Sequence, residues 1–198
     1  MSLPYIIAYR GNLCQFMRKM RCILFTLETK RLILRPLTEK DEINLKRTLQ
    51  DEKAMYAYEG AFTDEEVTAW LTRQLARYEK WGFGLYAVIL KETGAFIGQC
   101  GLTYQPWRGG EVLEVGYLFE RLYWHHGYAT EAARAFMDYA FNNLGADEVS
   151  SLIRDTNEAS KNVARRNGMH PVDEDVKVYK RLRMRHVRFM CSARFFSE

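Results

Sequence analysis

A glutamate inside an apolar segment is the first residue of this sequence that is suited to chemistry. Glu114 lies among Val112, Leu113 and Val115. Strand alternation places it on one face with Val112 and Gly116. A carboxylate in such a position can accept a proton from a substrate. We predict a catalytic or substrate-orienting role for Glu114, with a structural role on an exposed face as the alternative.

A glycine at the start of a predicted helix follows the strand that carries Glu114. The first turn of that helix has unpaired backbone N–H groups at the positive end of the helix dipole. Gly127 and Ala129 keep large side chains away from this turn, and Thr130 adds a hydroxyl. The turn therefore predicts a site where a pyrophosphate binds to the backbone itself.

Two more polar residues lie one helical turn apart later in the chain. Asn157 and Ser160 share a face of the helix predicted over 157–167. Asn157 can cap that helix, bind a ligand, or do both. The structural alternative for Ser160 is a solvent-facing position that supports the cap.

The histidines and cysteines do not indicate a metal site. His125 and His126 directly precede Gly127, and we interpret them as exposed or phosphate-adjacent because no carboxylate–histidine spacing typical of zinc accompanies them. The cysteines have neither metal-finger spacing nor a CxxC motif, which favours reduced thiols in the core. They are Cys14, Cys22, Cys100 and Cys191. We predict no metal.

The elements that position these residues are strands interspersed with helices. Strands are predicted over 31–37, 83–90, 95–104, 111–119, 148–153, 177–182 and 186–195. Helices are predicted after Thr38, from Thr63 or Asp64, and over 127–144 and 157–167. Most strands adjoin in sequence. The predicted fold class is therefore α/β (α+β), with a mixed, mostly antiparallel central sheet and helices on both faces.

The charge distribution separates an N-terminal arm from the rest of the chain. The 198 residues carry 29 basic and 25 acidic side chains, for a net charge of +4. Residues 1–26 contain four basic residues and no acid, so the remaining residues have 25 of each sign. We predict an N-terminal extension or expression remnant over 1–26 and one domain over 27–198.

A basic stretch near the C-terminus bears on possible partners. From Lys177 to Arg194 there are seven Lys or Arg residues and no acid. We interpret this stretch as a solvated strand face rather than a nucleic-acid surface. No apolar run approaches the ~20 residues of a membrane span. We expect a cytoplasmic protein, monomeric or homodimeric, that binds neither nucleic acid nor membrane.

The segment around Gly127 resembles the coenzyme-binding motif of the GNAT superfamily of acetyl-CoA-dependent N-acetyltransferases. The family pattern Q/R-x-x-G-x-G/A is matched at its last two positions by Trp124-His125-His126-Gly127-Tyr128-Ala129. Tryptophan at the first position is common in the ribosomal-protein-alanine acetyltransferase branch. Other segments resemble that branch in the same order, over about residues 27–195: Glu28–Leu32, Leu34-Arg35, Ile97-Gly98, Gly101-Leu102, Glu114–Tyr117, Asn157–Ser160 and Asn167–Met169.

The resemblance implies acetyl-CoA as the cosubstrate. In the family, the strand before the phosphate turn splays from the next strand, and the pantetheine arm pairs with the exposed backbone like an added strand. We therefore expect the strands over 111–119 and 148–153 to diverge. The residues implied in coenzyme binding are Tyr117, Leu118, Phe119, His125, His126, Gly127, Tyr128, Ala129, Thr130 and Asn157.

The resemblance also implies roles in the reaction. Glu114 would take the amine proton, often through a water, and Ser160 would stabilise the leaving thiolate. Many members carry a general-acid tyrosine seven residues after the asparagine, where this chain has Ala164. Tyr58 and Glu59 are predicted in the acceptor wall. Nearby aromatic residues are assigned to core packing: Tyr56, Trp81 and Phe83.

The predicted function is acetyl transfer from acetyl-CoA to a primary amine, either a protein N-terminus or a small molecule. One alternative is a catalytically silent acyl-CoA-binding sensor or interaction module on the same fold, which the missing tyrosine at Ala164 favours and Glu114 and Ser160 oppose. Another alternative is a nucleic-acid-binding protein that uses the basic arm and the basic strands.

Overall fold

One sheet organises the part of the chain that the computed structural model describes, namely residues 24–58, 60–179 and 182–196. Its strands are β1 (Leu27–Glu28), β2 (Leu32–Pro36), β3 (Leu85–Leu90), β4 (Phe96–Trp107), β5 (Gly110–Phe119), β6 (Glu148–Arg154), β7 (His170–Tyr179) and β8 (Leu182–Ser192). They are ordered β1-β2-β3-β4-β5-β6-β8-β7. Every neighbouring pair is antiparallel except β5 and β6, which are parallel. The predicted mixed, mostly antiparallel sheet is confirmed.

The helices begin at residues that satisfy their free N–H groups. Those described are α1 (Glu42–Leu49), α2 (Asp64–Trp81), α3 (Tyr128–Asn142), α4 (Glu158–Arg166) and the short α5 (Ala193–Phe196). Before α1, the Asp41 carboxylate accepts from the Thr38 N–H at 2.8 Å, as in one half of a capping box. At α2, the Thr63 hydroxyl accepts from the Glu66 N–H at 3.3 Å. Local sequence therefore determines where these helices start.

Helices cover both faces of the central strands. Every residue of β4 from Phe96 to Thr103 is buried, which requires material on both sides of the sheet. On one face, the Trp70 indole of α2 donates to the Gln99 amide oxygen at 3.0 Å. On the other face, the Tyr86 ring meets Phe136 of α3 at 5.4 Å between centroids. Within the described residues, no helix is both long and apolar enough to span a bilayer.

Strands β5 and β6 separate soon after they meet. Their only paired residues are Glu114 and Ser150, whereas β4 and β5 pair continuously from Trp107 with Gly110 to Gly98 with Phe119. Beyond Glu114, the edge of β5 that faces β6 is therefore not closed by a neighbouring strand. The divergence predicted for these two strands is present.

One predicted break between strands and one predicted strand end were wrong. Residues 105–110 separate the strands predicted over 95–104 and 111–119, but in the structure the break is only a two-residue hairpin turn, in which Arg108 and Gly109 have φ of 46° and 82°. Positive φ at both turn positions fits the twist of a tight hairpin, and the sequence Arg-Gly is not a strong signal for it. The last strand ends at Ser192 rather than 195, and 193–196 form the helical turn α5.

The acidic start of β7 explains why that strand was predicted too short. It begins at His170 instead of Lys177, because acidic residues are poor strand formers by propensity. Here they pair across the hairpin: Arg188 bonds the Asp173 carboxylate at 2.8 Å, and Arg185 contacts Glu174. These arginines of the basic stretch are thus partly neutralised within the fold, which supports the strand-face interpretation over a nucleic-acid surface.

Candidate active site

A cavity of about 420 Å³ opens where β5 and β6 diverge. Its wall combines residues of α2, β5, β6, β7 and the start of α4. Five of the predicted site residues line it: Glu114, Tyr117, Leu118, Asn157 and Ser160. The fold therefore brings the predicted base and the two residues of the later helix to one space, although 43 to 46 positions separate Glu114 from them in sequence.

The Glu114 carboxylate fills part of the gap between the two strands. Its Oε1 accepts a hydrogen bond from the Leu152 backbone N–H at 3.0 Å, two residues beyond the last strand pair. Burial raises the pKa of this carboxyl, and the nearby Lys177 ammonium, the Leu152 N–H and the Arg77 guanidinium oppose that rise. A raised pKa moves a carboxylate toward the range in which a general base works well.

Beyond Glu114, alternate residues of β5 direct their backbone groups away from β4, toward the side where β6 diverges. The Val115 carbonyl accepts from the Ser151 hydroxyl at 2.9 Å, and the Phe119 carbonyl accepts from the Trp124 indole at 2.9 Å. Both carbonyls point away from β4. Because backbone direction alternates along a strand, the Tyr117 N–H and carbonyl point the same way. The Leu118 backbone belongs to the ladder with Gln99, so Leu118 contributes its side chain to the wall.

Asn157, Ser160 and Tyr117 form a connected group beside this edge. The Asn157 side-chain oxygen accepts from the Ser160 N–H at 3.0 Å, so the predicted N-cap of α4 is present. The Tyr117 hydroxyl donates to the Ser160 carbonyl at 3.0 Å. Burial raises the pKa of Tyr117, which keeps this hydroxyl protonated. Ala164 is 1% exposed, so a tyrosine at this position would have to fit into the core.

The phosphate turn begins α3 with an unusual backbone. Gly127 is the N-cap, with φ of 80°, and His125 has φ of 65°. Residues in the left-handed region alternate here with other conformations, an arrangement that directs N–H groups into an anion-binding concavity. The Thr130 hydroxyl is buried and finds no hydrogen-bond partner in the described part of the chain. This orphaned donor and the space beside Gly127 fit a phosphate group.

The first turn of α3 is held by the segment that connects β1 to β2. The carboxylate of Glu131 accepts from the Arg31 guanidinium at 2.6 Å, from the Arg31 N–H at 2.9 Å and from the Thr29 hydroxyl at 2.6 Å. Arg31 also donates to the His126 carbonyl at 2.9 Å and lies 4.4 Å from the centroid of the Tyr128 ring. The turn is thus preorganised before any ligand binds.

The histidines and most of the aromatic residues lie where the sequence predicted. Tyr56 is the exception, because it was predicted in the core and is 40% exposed. His125 and His126 are exposed, and the His126 Nδ1 lies 2.7 Å from the Trp124 carbonyl. Trp81 and Phe83 pack on Tyr104 outside the cavity wall. Tyr58 lines the cavity, as predicted, and Glu59 lies outside the described residues.

Several residues of the wall escaped sequence reasoning. Trp70, Arg73 and Arg77 lie on the cavity face of α2, and Lys177 reaches it from β7. The spacing of Arg73 and Arg77 by four residues signals one helix face, but nothing local indicates that this face meets β5. The sequence gives even less indication of Lys177 as a cavity residue, because it lies in the basic stretch that was interpreted as a solvated strand face.

The family model described as an acetyltransferase (GNAT) domain matches residues 31–170 of this chain. The chain belongs to the GNAT acetyltransferase family. This family uses acetyl-CoA to acetylate nitrogen, so the protein is an acetyl-CoA-dependent N-acetyltransferase. The fold of such an enzyme implies coenzyme binding in general, and the turn at Gly127 has the features that phosphate binding needs.

Similar proteins agree with this assignment. The uncharacterized protein YkkB of Bacillus subtilis is 37% identical over 145 residues, 73% of this acetyltransferase and 84% of YkkB. The uncharacterized N-acetyltransferase YnaD of the same organism is 29% identical over 145 residues, 72% and 81% of the two chains. A ribosomal-protein-S5-alanine acetyltransferase structure from Vibrio fischeri has a TM-score of 0.69 at 16% identity, covering 87% and 98% of the two chains. At that identity the likeness shows the fold alone.

Proposed function

We propose that this enzyme acetylates a primary amine, either the N-terminus of a protein or a small molecule, with Glu114 as the proton acceptor. The observation that carries the proposal is the position of the Glu114 carboxylate. It is anchored by the Leu152 N–H at the open end of the strand gap and faces the cavity that Ser160 and Tyr117 also line.

The reaction transfers one proton from the amine and replaces the carbon–sulfur bond of the thioester with a carbon–nitrogen bond. The amine nitrogen forms a bond to the acetyl carbon, the carbon–sulfur bond of the thioester breaks, and coenzyme A leaves with the sulfur. Glu114 takes the proton that the nitrogen loses, directly or through a water. The Tyr117 N–H, which points from β5 toward the gap, is placed to stabilise the oxyanion of the tetrahedral intermediate.

The leaving sulfur would be stabilised by a hydroxyl group. Ser160 is our candidate donor, because it lies in the wall one turn inside α4. The Tyr117 hydroxyl donates its single proton to the Ser160 carbonyl at 3.0 Å, so Tyr117 would hold Ser160 in position rather than serve the sulfur itself. Ser160 would thus supply the hydroxyl of a site in which Ala164 stands where many family members carry a tyrosine.

The coenzyme would be held by two separate parts of the chain. The backbone of Gly127, Tyr128, Ala129 and Thr130 at the start of α3 would bind the pyrophosphate, with His125 and His126 beside it. Tyr117 and Phe119 would offer backbone groups to the pantetheine arm. Leu118 would pack against that arm, and the side-chain amide of Asn157 would bond to it.

The test is thiol release from acetyl-CoA with a panel of primary amines, together with mass measurement of the products. We expect products heavier by one acetyl group on the amine nitrogen, and no thiol release with tertiary amines of similar shape. A chain that binds acetyl-CoA but acetylates no primary amine would contradict the proposal and indicate a silent coenzyme-binding module.

A further inference from the structure

The cavity wall carries more positive than negative charge. Its ionised side chains are four cations and two carboxylates: Arg73, Arg77, Arg154, Lys177, Glu66 and Glu114. His186 also lines the cavity, but burial lowers its pKa and so favours the uncharged imidazole near neutral pH. The wall thus holds an excess of two positive charges around a single buried base.

In the described part of the chain these four cations form no ion pair with a carboxylate, and Arg77 and Lys177 act on Glu114 only over a longer distance. Arg77 donates to the Gln74 amide oxygen at 3.0 Å, and Arg154 donates to a backbone carbonyl at 2.6 Å. The Arg73 guanidinium and the Lys177 ammonium lie 5.7 and 5.8 Å from the centroids of tryptophan rings. Within residues 24–58, 60–179 and 182–196, none of the four lies within 4.0 Å of a carboxylate oxygen. Their charges are therefore available to a ligand.

The phosphates of the coenzyme do not account for these charges. Phosphate binding is assigned to the turn at residues 125–130, and none of those residues lines the cavity. The cations come instead from α2, β6 and β7, and two of them, Arg77 and Lys177, act on the Glu114 carboxylate through their charge. They are placed where the acceptor must lie if its amine is to reach that carboxylate.

We infer that the preferred acceptor is an amine with a carboxylate close to its reacting nitrogen. This inference rests on the proposed acetylation of a primary amine. Guanidinium groups bind carboxylates through paired, charge-assisted hydrogen bonds, and Arg73 and Arg77 present two of them on one face of α2. A carboxylate held there offsets one of the two excess positive charges and leaves Glu114 free to take the amine proton.

The volume of the cavity suits such an acceptor. At about 420 Å³ it lies at the small end of ordinary ligand pockets. A free amino acid fits the chemistry, and so does the first residue of a peptide with an acidic side chain. Both sources present the same pair of groups, an amine and a carboxylate a few bonds apart.

Matched acceptors test the inference and separate its two sources. For peptides, the pair is aspartyl-alanine amide and asparaginyl-alanine amide, which differ only in the charge of the first side chain. For free amino acids, the pair is alanine and alaninamide, with rates corrected for the fraction of unprotonated amine. We expect kcat/KM to be about tenfold higher for the carboxylate member of at least one pair. Added salt should reduce the difference.

Variants of α2 provide the second part of the test. Arg73→Gln and Arg77→Gln should each raise KM for the acidic acceptor severalfold and leave KM for its amide nearly unchanged. Lys80→Gln is the matched control, because Lys80 lies on the same helix outside the cavity wall. Circular dichroism would verify that each variant is folded.

The outcomes separate this inference from the proposed function. Equal kcat/KM for acid and amide in both pairs would overturn the inference while acetyl transfer stands, as would a preference that persists in both arginine variants. Failure to acetylate any amine would instead overturn the proposed function. A preference confined to the peptide pair or to the free amino acid pair would support the inference and identify the source.

Discussion

Glu114 shows how one side chain can both complete a sheet and serve a reaction. Its carboxylate bonds the Leu152 N–H at the point where β5 and β6 separate. The group therefore satisfies a backbone donor that a closed ladder would have paired, and it faces the cavity while doing so. Burial raises the pKa of Glu114, so its basic form is lost at a higher pH than for an ordinary carboxyl.

Glu114→Gln should lower kcat/KM by about 10²–10⁴-fold with a small change in acetyl-CoA affinity, because glutamine accepts no proton. The deficit should be largest between the raised pKa of Glu114 and the pKa of the amine. Below that window wild-type Glu114 is protonated as well, and above it the amine loses its proton unaided. The measurement is kcat/KM against pH for both proteins.

Glu111→Gln is the matched control for this prediction. Glu111 lies on the same strand, is exposed and does not line the cavity, so its pH profile should match that of the wild type. A Glu114→Gln enzyme with wild-type rates over the whole pH range would assign Glu114 a purely structural role.

At the scale of elements, α3 has a left-handed glycine at its start and another shortly after its end. Its N-cap Gly127 is left-handed, and apart from its chain neighbours the nearest heavy atom to a Cβ placed there would be an Arg31 guanidinium nitrogen at 3.5 Å. The helix ends near another left-handed glycine, Gly145, with φ of 65° and no heavy atom within 4 Å of such a side chain. Gly127 and Gly145 thus share a left-handed backbone, but only Gly127 lies at the proposed phosphate site.

Gly127→Asn should therefore weaken acetyl-CoA binding at least tenfold, because its side chain would occupy the space above the turn. Asparagine tolerates a left-handed backbone better than other residues, so the fold should survive. Gly145→Asn carries the same backbone cost and should leave affinity unchanged. Calorimetric titration with acetyl-CoA measures both. Equal affinities in the two variants would move the phosphate site away from this turn.

At the scale of the whole molecule, an aromatic contact just before residue 27 bears on where the domain begins. The predicted domain begins at residue 27, yet the Phe25 ring stacks on Tyr139 of α3 at 3.9 Å between centroids and lies 5.0 Å from Tyr86. We therefore propose that residues 24–26 contribute to the packed domain, while every residue of the candidate site lies farther along the chain.

Removal of residues 1–23 should leave acetyl transfer and thermal stability unchanged. Removal of residues 1–26 should destabilise the fold by about 1–2 kcal/mol, since it deletes a half-buried aromatic side chain. For a chain of this size the melting temperature would fall by roughly 2–8 °C. Phe25→Ala should reproduce the loss in the full chain, and Leu24→Ala, at an exposed position, should not. Lost turnover after removal of 1–23 would show that those residues belong to the domain.

The sequence by itself determined the local features of this enzyme. Apolar alternation indicated strands such as the one around Glu114, Thr38 and Thr63 marked two helix starts, and the motif around Gly127 indicated the family. These signals act between residues a few positions apart, where spacing alone decides which side chains share a face or bond to a nearby backbone group.

The tertiary structure alone decided which distant residues share the cavity. Lys177 comes from a hairpin that began seven residues earlier than predicted, and Arg77 comes from a helix that precedes β5 by a long stretch of chain. Their proximity to Glu114 depends on sheet order, on the early divergence of β5 and β6, and on the packing of α2 over one face. A sequence pattern does not specify the distance between residues that are far apart in the chain. The positive charge near Glu114 could therefore be recognised only in the folded structure.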